Sequence, residues 1–376
     1  MTAVRQFSMT HRLSTLRSDL AARGLDALVV THLPNLRYLT GFSGTAGAAV
    51  VSHTQCVLIV DFRYETAARA LVADLPQGLI DIRLVERTYD DALGDVLLES
   101  VTGKAAVEGA SMTVGRFNRL ADRLKQRGHT DPATVLVPTE RIVERRRAVK
   151  DAAEINTLRE AARLLSEVAW RVPSMVRHGR AEVEIAADID MAIRNGGFER
   201  PAFDTIVAGG ENGARPHARP GKRQVGEGDW VVLDFGGIYD GYCVDLTRTI
   251  PVGSGRSDLS GVAAAVLEAH DAAIAAVRPG ARPSEIDGAA RQVLARHGLA
   301  DAFGHGTGHG LGLEVHEDPR ISKLPGALPD DPVVPGMVFT IEPGAYIPGV
   351  GGVRIEDDVL VVEDGCEVLT DVPIGF

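Results

Sequence analysis

Apolar and polar positions in the first part of the chain alternate in a way that predicts strands and helices in turn. Short apolar runs are typical of buried strands, and Ala, Leu and Val recur at helical spacing between them. The predicted elements are a helix at 13–23, a strand at 26–30, a loop at 34–44, a hairpin at 50–60 that turns at 52–55, a helix at 63–74, a strand at 80–85, a helix at 90–100, a strand at 105–108, a helix at 114–128 and a strand at 134–137. This alternation predicts a mixed or parallel sheet covered by helices.

The second part of the chain has a different pattern, with long amphipathic helices that come in pairs. The predicted helices are 152–171, 182–196, 259–277 and 284–297. Gly298 follows the last of them as a C-cap. A strand-rich, glycine-rich region follows each pair, so residues 150–255 and 256–376 form two loosely similar stretches. This predicts a pseudo-symmetric α+β domain with a site between its halves.

A charge-dense segment, residues 140–150 (ERIVERRRAVK), separates the two patterns. Its composition is typical of a solvated helix start or connector, and we place a domain boundary beside it. The sequence therefore predicts an α/β N-terminal domain with a mixed sheet at 1–145, followed by an α+β domain at 146–376.

Composition narrows the function classes. The 376 residues include 40 basic and 51 acidic side chains, a net charge of −11, so no nucleic-acid partner is expected. No apolar run approaches the roughly 18 residues that span a bilayer, and residues 1–24 lack a secretory apolar core. The three cysteines form no CxxC pair, which is typical of buried thiols in a reducing compartment. We therefore expect no membrane partner and a cytoplasmic location.

Two aspartates stand out because they interrupt apolar strands. Asp234 ends the run 230–233, a turn is predicted at 239–241, and Asp245 lies on the returning strand. The hairpin places the two carboxylates nearly opposite each other. Buried together as anions they would repel, so they need a cation or a shared proton. The alternative, a turn or edge carboxylate in water, does not fit Asp234 inside its apolar strand.

Two glutamates occupy similar contexts. Glu342 ends the apolar strand 337–341, and Glu356 alternates with Val353 and Ile355, so it shares a strand face with Arg354. A lone acidic residue in such a strand is usually an exposed one. Four carboxylates in similar contexts favour a common site.

Histidines complete the pattern. His305 and His309 lie in a segment (304–310) too rich in glycine for a helix, where the backbone can approach a neighbour closely. A strand is predicted at 311–317, which includes His316, and His217 lies in a loop before the Asp234 strand. Alone, each histidine would be an ordinary surface or core residue.

One histidine and four carboxylates together predict a dinuclear-type site for divalent metals. Such an oxygen-rich set suits Mn²⁺, Co²⁺ or Zn²⁺ better than a thiolate-selective site does. Cys243 shares a strand face with Asp245, but we interpret it as a packed thiol because the ligand set is complete without it.

Four motifs together resemble the Xaa-Pro peptidase branch of the pita-bread metallopeptidases, which includes prolidases and aminopeptidases P. They are DFGGIYDGYCVDLTRT, HGTGHGLGLEVHE, TIEPG and VRIED, and residues 35–42 (NLRYLTGF) resemble the family's creatinase-like N-terminal domain more weakly. The resemblance implies five metal ligands, with Asp245 and Glu356 bridging two ions: Asp234, Asp245, His309, Glu342 and Glu356. It also implies that His217 and His316 are second-sphere histidines and that His305 and Arg354 are pocket residues.

The resemblance further implies a dinuclear-metal hydrolase that cleaves the Xaa-Pro bond, manganese being the first choice of metal, and a homodimer. Glu342 would accept a proton from water, and His217 or His316 would donate one. Arg320, four residues after His316, is either a reader of the dipeptide carboxylate or a solvated loop residue. A dipeptidase is the first hypothesis, an aminopeptidase P on longer peptides the second, and a metal-free pita-bread binding protein the alternative from another class.

Overall fold

The computed structural model describes residues 3–126, 135–323, 330–370 and 372–373, which belong to two units, Met1–Arg147 and Ala148–Phe376. Each unit has hydrophobic clusters of its own. The ends predicted for the helix 114–128 and for the strand 134–137 fall partly outside the described residues.

The first unit contains a six-stranded mixed sheet with helices around it. Its strands are β1 Ala27–Val30, β2 Ala48–Ser52, β3 Cys56–Val60, β4 Asp81–Leu84, β5 Ala105–Glu108 and β6 Leu136–Thr139. Its helices are α1 Ala3–Ala22, α2 Leu33–Thr40, α3 Glu65–Ala73, α4 Tyr89–Ser100, α5 Val114–Gln126 and α6 Glu144–Arg147. The strand order is β4-β3-β2-β1-β5-β6, with β1–β2 and β2–β3 antiparallel and the other pairs parallel. The prediction of a mixed sheet is confirmed.

One element of this unit differs from its prediction: residues 34–44 were expected to form a loop, but α2 occupies most of them. Pro34 stands in the first turn, where its missing N–H costs little, and Gly41 ends the helix with φ of 74°. Leu36 and Leu39 are buried on one face. Two signals usually associated with turns, Pro and Gly, here mark the two ends of a short helix.

The charged segment 140–150 was interpreted as a solvated helix start or connector, but some of its charged side chains are buried. Arg147 is only 2% exposed and donates a 2.8 Å hydrogen bond from Nη1 to Oδ1 of buried Asn35. The amide of Asn35 in turn donates to Glu108 and Glu144. Lys150 is 4% exposed. Sequence composition could not reveal these partners because they lie far away in the chain.

The second unit contains two helix pairs and sheets that follow each pair. Its helices are α7 Ala152–Ala169, α8 Glu182–Asn195, α9 Ser257–Ala276 and α10 Pro283–Arg296, with 3-10 turns at Val172–Ser174, Gly210–Ala214 and Ala300–Ala302. Its strands are β7 Arg200–Pro201, β8 Ile206–Gly209, β9 Trp230–Tyr239, β10 Tyr242–Pro251, β11 Gly308–Gly310, β12 Glu317–Ile321, β13 Val338–Ile341, β14 Gly344–Ile347, β15 Gly351–Arg354, β16 Asp357–Val362 and β17 Gly365–Val368. The predicted helices are all present.

The two halves of this unit build separate sheets, which contact each other through residues 245–249 of the first half and 354–358 of the second. Strands β7 to β10 form the first sheet, strands β12-β11-β13-β16-β17 form the second in that order, and β14 pairs with β15. An isolated antiparallel bridge between Thr247 and Glu356 connects the first sheet to the segment between β15 and β16.

The long hairpin β9–β10 separates a core face from a polar face. Leu233, Phe235, Val244 and Leu246 are buried against α7 and α8 in one hydrophobic cluster. Because side chains alternate along a strand, Asp234 and Asp245 point to the opposite face. The core therefore fixes the direction of both carboxylates.

Among the described helices, α9 is the one whose length and apolar composition would allow it to span a membrane. In this structure it packs as a core helix. Its buried residues include Leu259, Val266 and Ala273, which join a cluster with α10.

We expect alanine to have opposite effects at two glycines, one inside α10 and one just after it. Gly298, just after the helix, has φ of 72°, whereas Gly288 lies inside it, and among the described residues neither would place a Cβ within 4 Å of another atom. Gly298→Ala should lower the free energy of unfolding by about 1 kcal/mol through backbone strain alone, and Gly288→Ala should raise it by about 0.5–1 kcal/mol. Urea unfolding of both variants measures the two effects. Effects of the same sign would contradict the role of Gly298 as the C-terminal cap of α10.

Candidate metal centre

A cavity of about 720 Å³ in the second unit is lined by every residue that the sequence predicted for the site. These residues are His217, Asp234, Asp245, His305, His309, His316, Arg320, Glu342, Arg354 and Glu356. The structure thus brings together side chains from both halves of the unit. Their individual roles stay predictions.

The β9–β10 hairpin places Asp234 and Asp245 on the same face, but as diagonal rather than direct neighbours. Asp234 is paired with Thr247, and Asp245 with Gly236. The reason is the turn: Asp240 and Gly241 both have positive φ, which makes a two-residue turn and shifts the register from the predicted one. Thr247 therefore lies on the same face, between the two sheets.

His309 lies in a short strand, β11, and the glycine-rich segment around it is not helical, as the sequence predicted. Its two neighbours must be glycines because other backbone segments pass very close. A Cβ on Gly308 would lie 1.8 Å from the Thr340 carbonyl oxygen, and one on Gly310 would lie 2.1 Å from that of Asp318. The His309 N–H donates to Thr340 Oγ1 at 3.1 Å. These contacts fix the imidazole, whose Nε2 is 3.7 Å from Glu342 Oε1.

The two glutamates are held by their own backbones. Glu342 follows β13, and its N–H donates to the Thr307 carbonyl at 2.7 Å. The sequence predicted that Glu356 and Arg354 lie on one strand, but the strand pairing breaks at Ile355 and β16 begins only at Asp357. It forms the bridge with Thr247, whose Oγ1 donates to Glu356 Oε2 at 2.6 Å.

These side chains fit divalent cations. One ligand atom each of Asp245, His309 and Glu356 lie within 4.8 Å of one another, and all three residues are buried. The Oδ1 atoms of Asp234 and Asp245 are buried and accept no hydrogen bond from the described residues. A buried carboxylate oxygen without a donor is costly, and a metal ion would satisfy it.

Burial and mutual repulsion set the charges of this group. Burial, then the charges of nearby carboxylates, raises the pKa of Asp245 and of Glu356 well above the ordinary values. Burial raises the pKa of Glu342 to about 8, although Arg354 opposes the shift. Burial, then the neighbouring His316, lowers the pKa of His309 to about 3, so its imidazole is neutral as a metal ligand must be.

Arg354 is the central cation of the group, and it connects residues that the sequence did not single out. It is 3% exposed and donates to Asp234 Oδ2, to Thr247 Oγ1 at 3.2 Å and to the Tyr346 hydroxyl at 2.8 Å. Tyr346 also lies 2.8 Å from Nε2 of His305. Thr247 could have been found from its strand spacing to Asp245, whereas Tyr346 carries no such signal.

The remaining predicted residues lie at the open side of the cavity. His217 and His316 are exposed, and the His316 ring is 4.3 Å from the His309 ring. The strand predicted at 311–317 was wrong: residues 312–316 form bends and β12 begins at Glu317. Arg320 is exposed and lies on this strand, where it pairs with His309.

Cys243 is buried, and burial raises the pKa of its thiol well above the usual range.

The chain is similar to known proteins over nearly its whole length. Residues 156–363 match the family described as Metallopeptidase family M24, and residues 12–149 match that described as Creatinase/Prolidase N-terminal domain. The chain is 31% identical to the Xaa-Pro dipeptidase of Pyrococcus horikoshii over 96% of this chain and 97% of the relative.

Two solved structures show the same similarity. The Xaa-Pro dipeptidase from Bacillus anthracis aligns with a TM-score of 0.90 at 33% identity, covering 98% of this chain and 99% of that one. The X-Pro aminopeptidase from Thermotoga maritima aligns with a TM-score of 0.81 at 32% identity, covering 94% of this chain and 97% of that one.

We expect Asp245→Asn to weaken metal binding by more than about a hundredfold, because it removes a charged ligand from the centre of the group. The same change should raise the melting temperature of the metal-free protein, since it removes one of several mutually repelling buried carboxylates. Elemental analysis after dialysis and thermal unfolding in chelator measure the two effects.

The matched control is Asp240→Asn in the turn of the same hairpin, where φ is 46° and asparagine is well tolerated. It should change neither metal content nor the difference between metal-loaded and metal-free melting temperatures. Unchanged metal content in Asp245→Asn would contradict its assignment as a ligand.

Proposed function

Because the chain belongs to metallopeptidase family M24, the pita-bread metallopeptidases, we propose that it is an Xaa-Pro dipeptidase, or prolidase, that hydrolyses the bond before a C-terminal proline. The observation that carries the proposal is the cavity in which five ligand-type side chains lie beside an exposed arginine. The relatives and structures named Xaa-Pro dipeptidase support it.

Members of this family use two divalent metal ions, and we propose that Asp234, Asp245, His309, Glu342 and Glu356 would hold them. When bound, the ions would activate a water molecule and polarise the peptide carbonyl. Manganese is our proposed native metal because four of the five ligands are carboxylates, and zinc or cobalt would also fit.

The protein's own residues would move the protons. Glu342, whose pKa burial raises to about 8, can accept a proton from the attacking water near neutral pH. His217 or His316, at the open side, can donate a hydrogen bond to the developing oxyanion or a proton to the leaving proline nitrogen. His305 and Arg354 would orient the substrate and the carboxylate of Asp234.

Substrate length would be read by Arg320. A dipeptide carries its carboxylate only about two residues, or roughly 7 Å, from its amino group. Arg320 pairs with His309, a proposed ligand, on the adjacent strand, and Arg320 lines the same cavity. Its charge also lowers the pKa of His316, after the larger effect of burial. A cation in this place suits the proline carboxylate.

We also propose a cytoplasmic homodimer, in which the first domain of one subunit lies near the mouth of the partner's site. All described residues that line the cavity belong to the second unit, so we propose that the first unit contributes to the dimer interface instead.

We further propose that nucleic acid is not a partner. The chain has no excess of basic residues, which binding to phosphates requires.

We expect Xaa-Pro dipeptides to be cleaved with a higher kcat/KM than Xaa-Pro-Yaa tripeptides, and chelator to abolish both activities. Arg320→Ala should remove most of the preference, about tenfold to a hundredfold, because it removes a charge-assisted hydrogen bond. Steady-state kinetics on matched Ala-Pro and Ala-Pro-Ala substrates measure it.

Arg219→Ala is the matched control, since Arg219 is another exposed arginine that lines the same cavity. It should leave the preference in place. If the wild-type protein cleaved tripeptides with the higher kcat/KM, the result would favour aminopeptidase P over a dipeptidase. Full activity after removal of metal would contradict the metal-dependent reaction, and no activity on either substrate would favour a pita-bread binding protein.

Sedimentation equilibrium should give the mass of a dimer, and dilution below its dissociation constant should lower specific activity. The reason is that each site would border the partner's first domain. A monomer with full specific activity would exclude this assembly while leaving the peptidase proposal untouched.

A further inference from the structure

We infer that Asp287 and Arg291 of α10 are positioning residues that fix the cavity wall bearing His305 and Arg320. The inference concerns substrate binding and rests on the proposed function. Neither side chain lines the main cavity, so any effect on the reaction must pass through the wall that they hold.

Asp287 is fully buried, and its carboxylate accepts four hydrogen bonds. Oδ1 accepts from the Thr307 N–H at 3.1 Å and from the Thr307 hydroxyl at 2.8 Å. Oδ2 accepts from Arg291 Nε at 2.8 Å and from the Lys323 N–H at 3.1 Å. One carboxylate on a helix therefore joins two separate backbone segments, one before β11 and one after β12.

Arg291 extends the same attachment towards His305. Its Nη1 donates to the Phe303 carbonyl at 3.0 Å, and its Nη2 donates to the His305 carbonyl. The guanidinium also stacks 4.4 Å from the centre of the Phe303 ring, and that ring meets the His305 ring edge-on at 4.9 Å. The backbone and the ring of His305 are thus both set from α10.

The attachment fixes the spacing between His305 and Arg320. Gly306 and Ser322 face each other, and a Cβ on Gly306 would lie 3.0 Å from that of Ser322. The Thr307 carbonyl accepts from the Glu342 N–H, so the same loop also borders the metal centre. A smaller cavity of about 260 Å³ beside Arg291, Phe303 and Lys323 leaves room for the loop to shift if the attachment is lost.

The substitution Asp287→Asn is a sharp probe because asparagine has the same shape. Both sides of the carboxylate face N–H donors, so an amide NH₂ would oppose a donor whichever way it turned. Arg291, whose side chain is 14% exposed, would also lose its anionic partner. Arg291→Met keeps the stem against Phe303 but removes both bonds to the loop carbonyls.

We expect each variant to raise KM for Ala-Pro about tenfold or more, with a smaller change in kcat and an unchanged metal content at saturating metal. Their combination should be far from additive because the two residues act as one unit. Hydrogen exchange by mass spectrometry should show loss of protection confined to residues 303–309 and 320–323, which contain the Thr307 and Lys323 amides that Asp287 accepts.

Glu285→Gln is the matched control on the same helix. Its carboxylate bonds the Arg282 N–H at the helix start and is exposed, so KM and the exchange of both segments should stay as in the wild type. Lower thermal stability of Asp287→Asn with unchanged KM and unchanged exchange in these segments would overturn the inference. A wild type without activity on any Xaa-Pro peptide would instead refute the proposed function, and the exchange result would still test the attachment.

Discussion

The repulsion among four carboxylates that line one cavity is the constraint on which this structure depends. Two unit charges 4 Å apart in a protein-like environment repel by about 4 kcal/mol, before the cost of removing each from water is added. Arg354 offsets part of this at Asp234, and protonation offsets more, as the raised pKa values of Asp245, Glu342 and Glu356 indicate. The remaining repulsion would be relieved by divalent cations, which is why we propose this group as the metal site.

The scaffold must hold these groups together against that repulsion, and it does so reciprocally between the two sheets. Thr247, two residues after Asp245, donates to Glu356, while Asp358, two residues after Glu356, accepts the N–H of Asp245 at 3.0 Å. Buried Arg248 adds a bond to the Glu356 carbonyl at 2.7 Å. Asp245 and Glu356 are therefore each fixed by the chain segment that carries the other.

Much of this could be predicted from the sequence because local patterns determined it. The four helices of the second unit follow from their apolar spacing, and Asp234, Asp245 and Glu342 attract attention as charges that end or interrupt apolar strands. Local pattern also misled: Pro34 and Gly41 mark the ends of a helix rather than a loop. The Asp240-Gly241 turn shifted the hairpin register from the predicted one.

Other features depend on long-range contacts and left no local signal. Tyr346 contacts the site residues Arg354 and His305, and buried Arg147 donates to Asn35, which lies 112 positions away in the chain. Asp287 looks like any acidic residue of an amphipathic helix until Thr307 and Lys323 are seen around it. A single sequence contains no pattern that pairs such residues.

The bridge between Thr247 and Glu356 has a consequence for how the protein acquires its metal. These two residues are 109 positions apart in the chain, so the contact closes a long loop and belongs among the slow, non-local events of folding. During synthesis, the hairpin with Asp234 and Asp245 leaves the ribosome well before Glu342 and Glu356. The nascent chain thus presents two of the four proposed carboxylate ligands at first, and the proposed site is complete only once the final strands have paired.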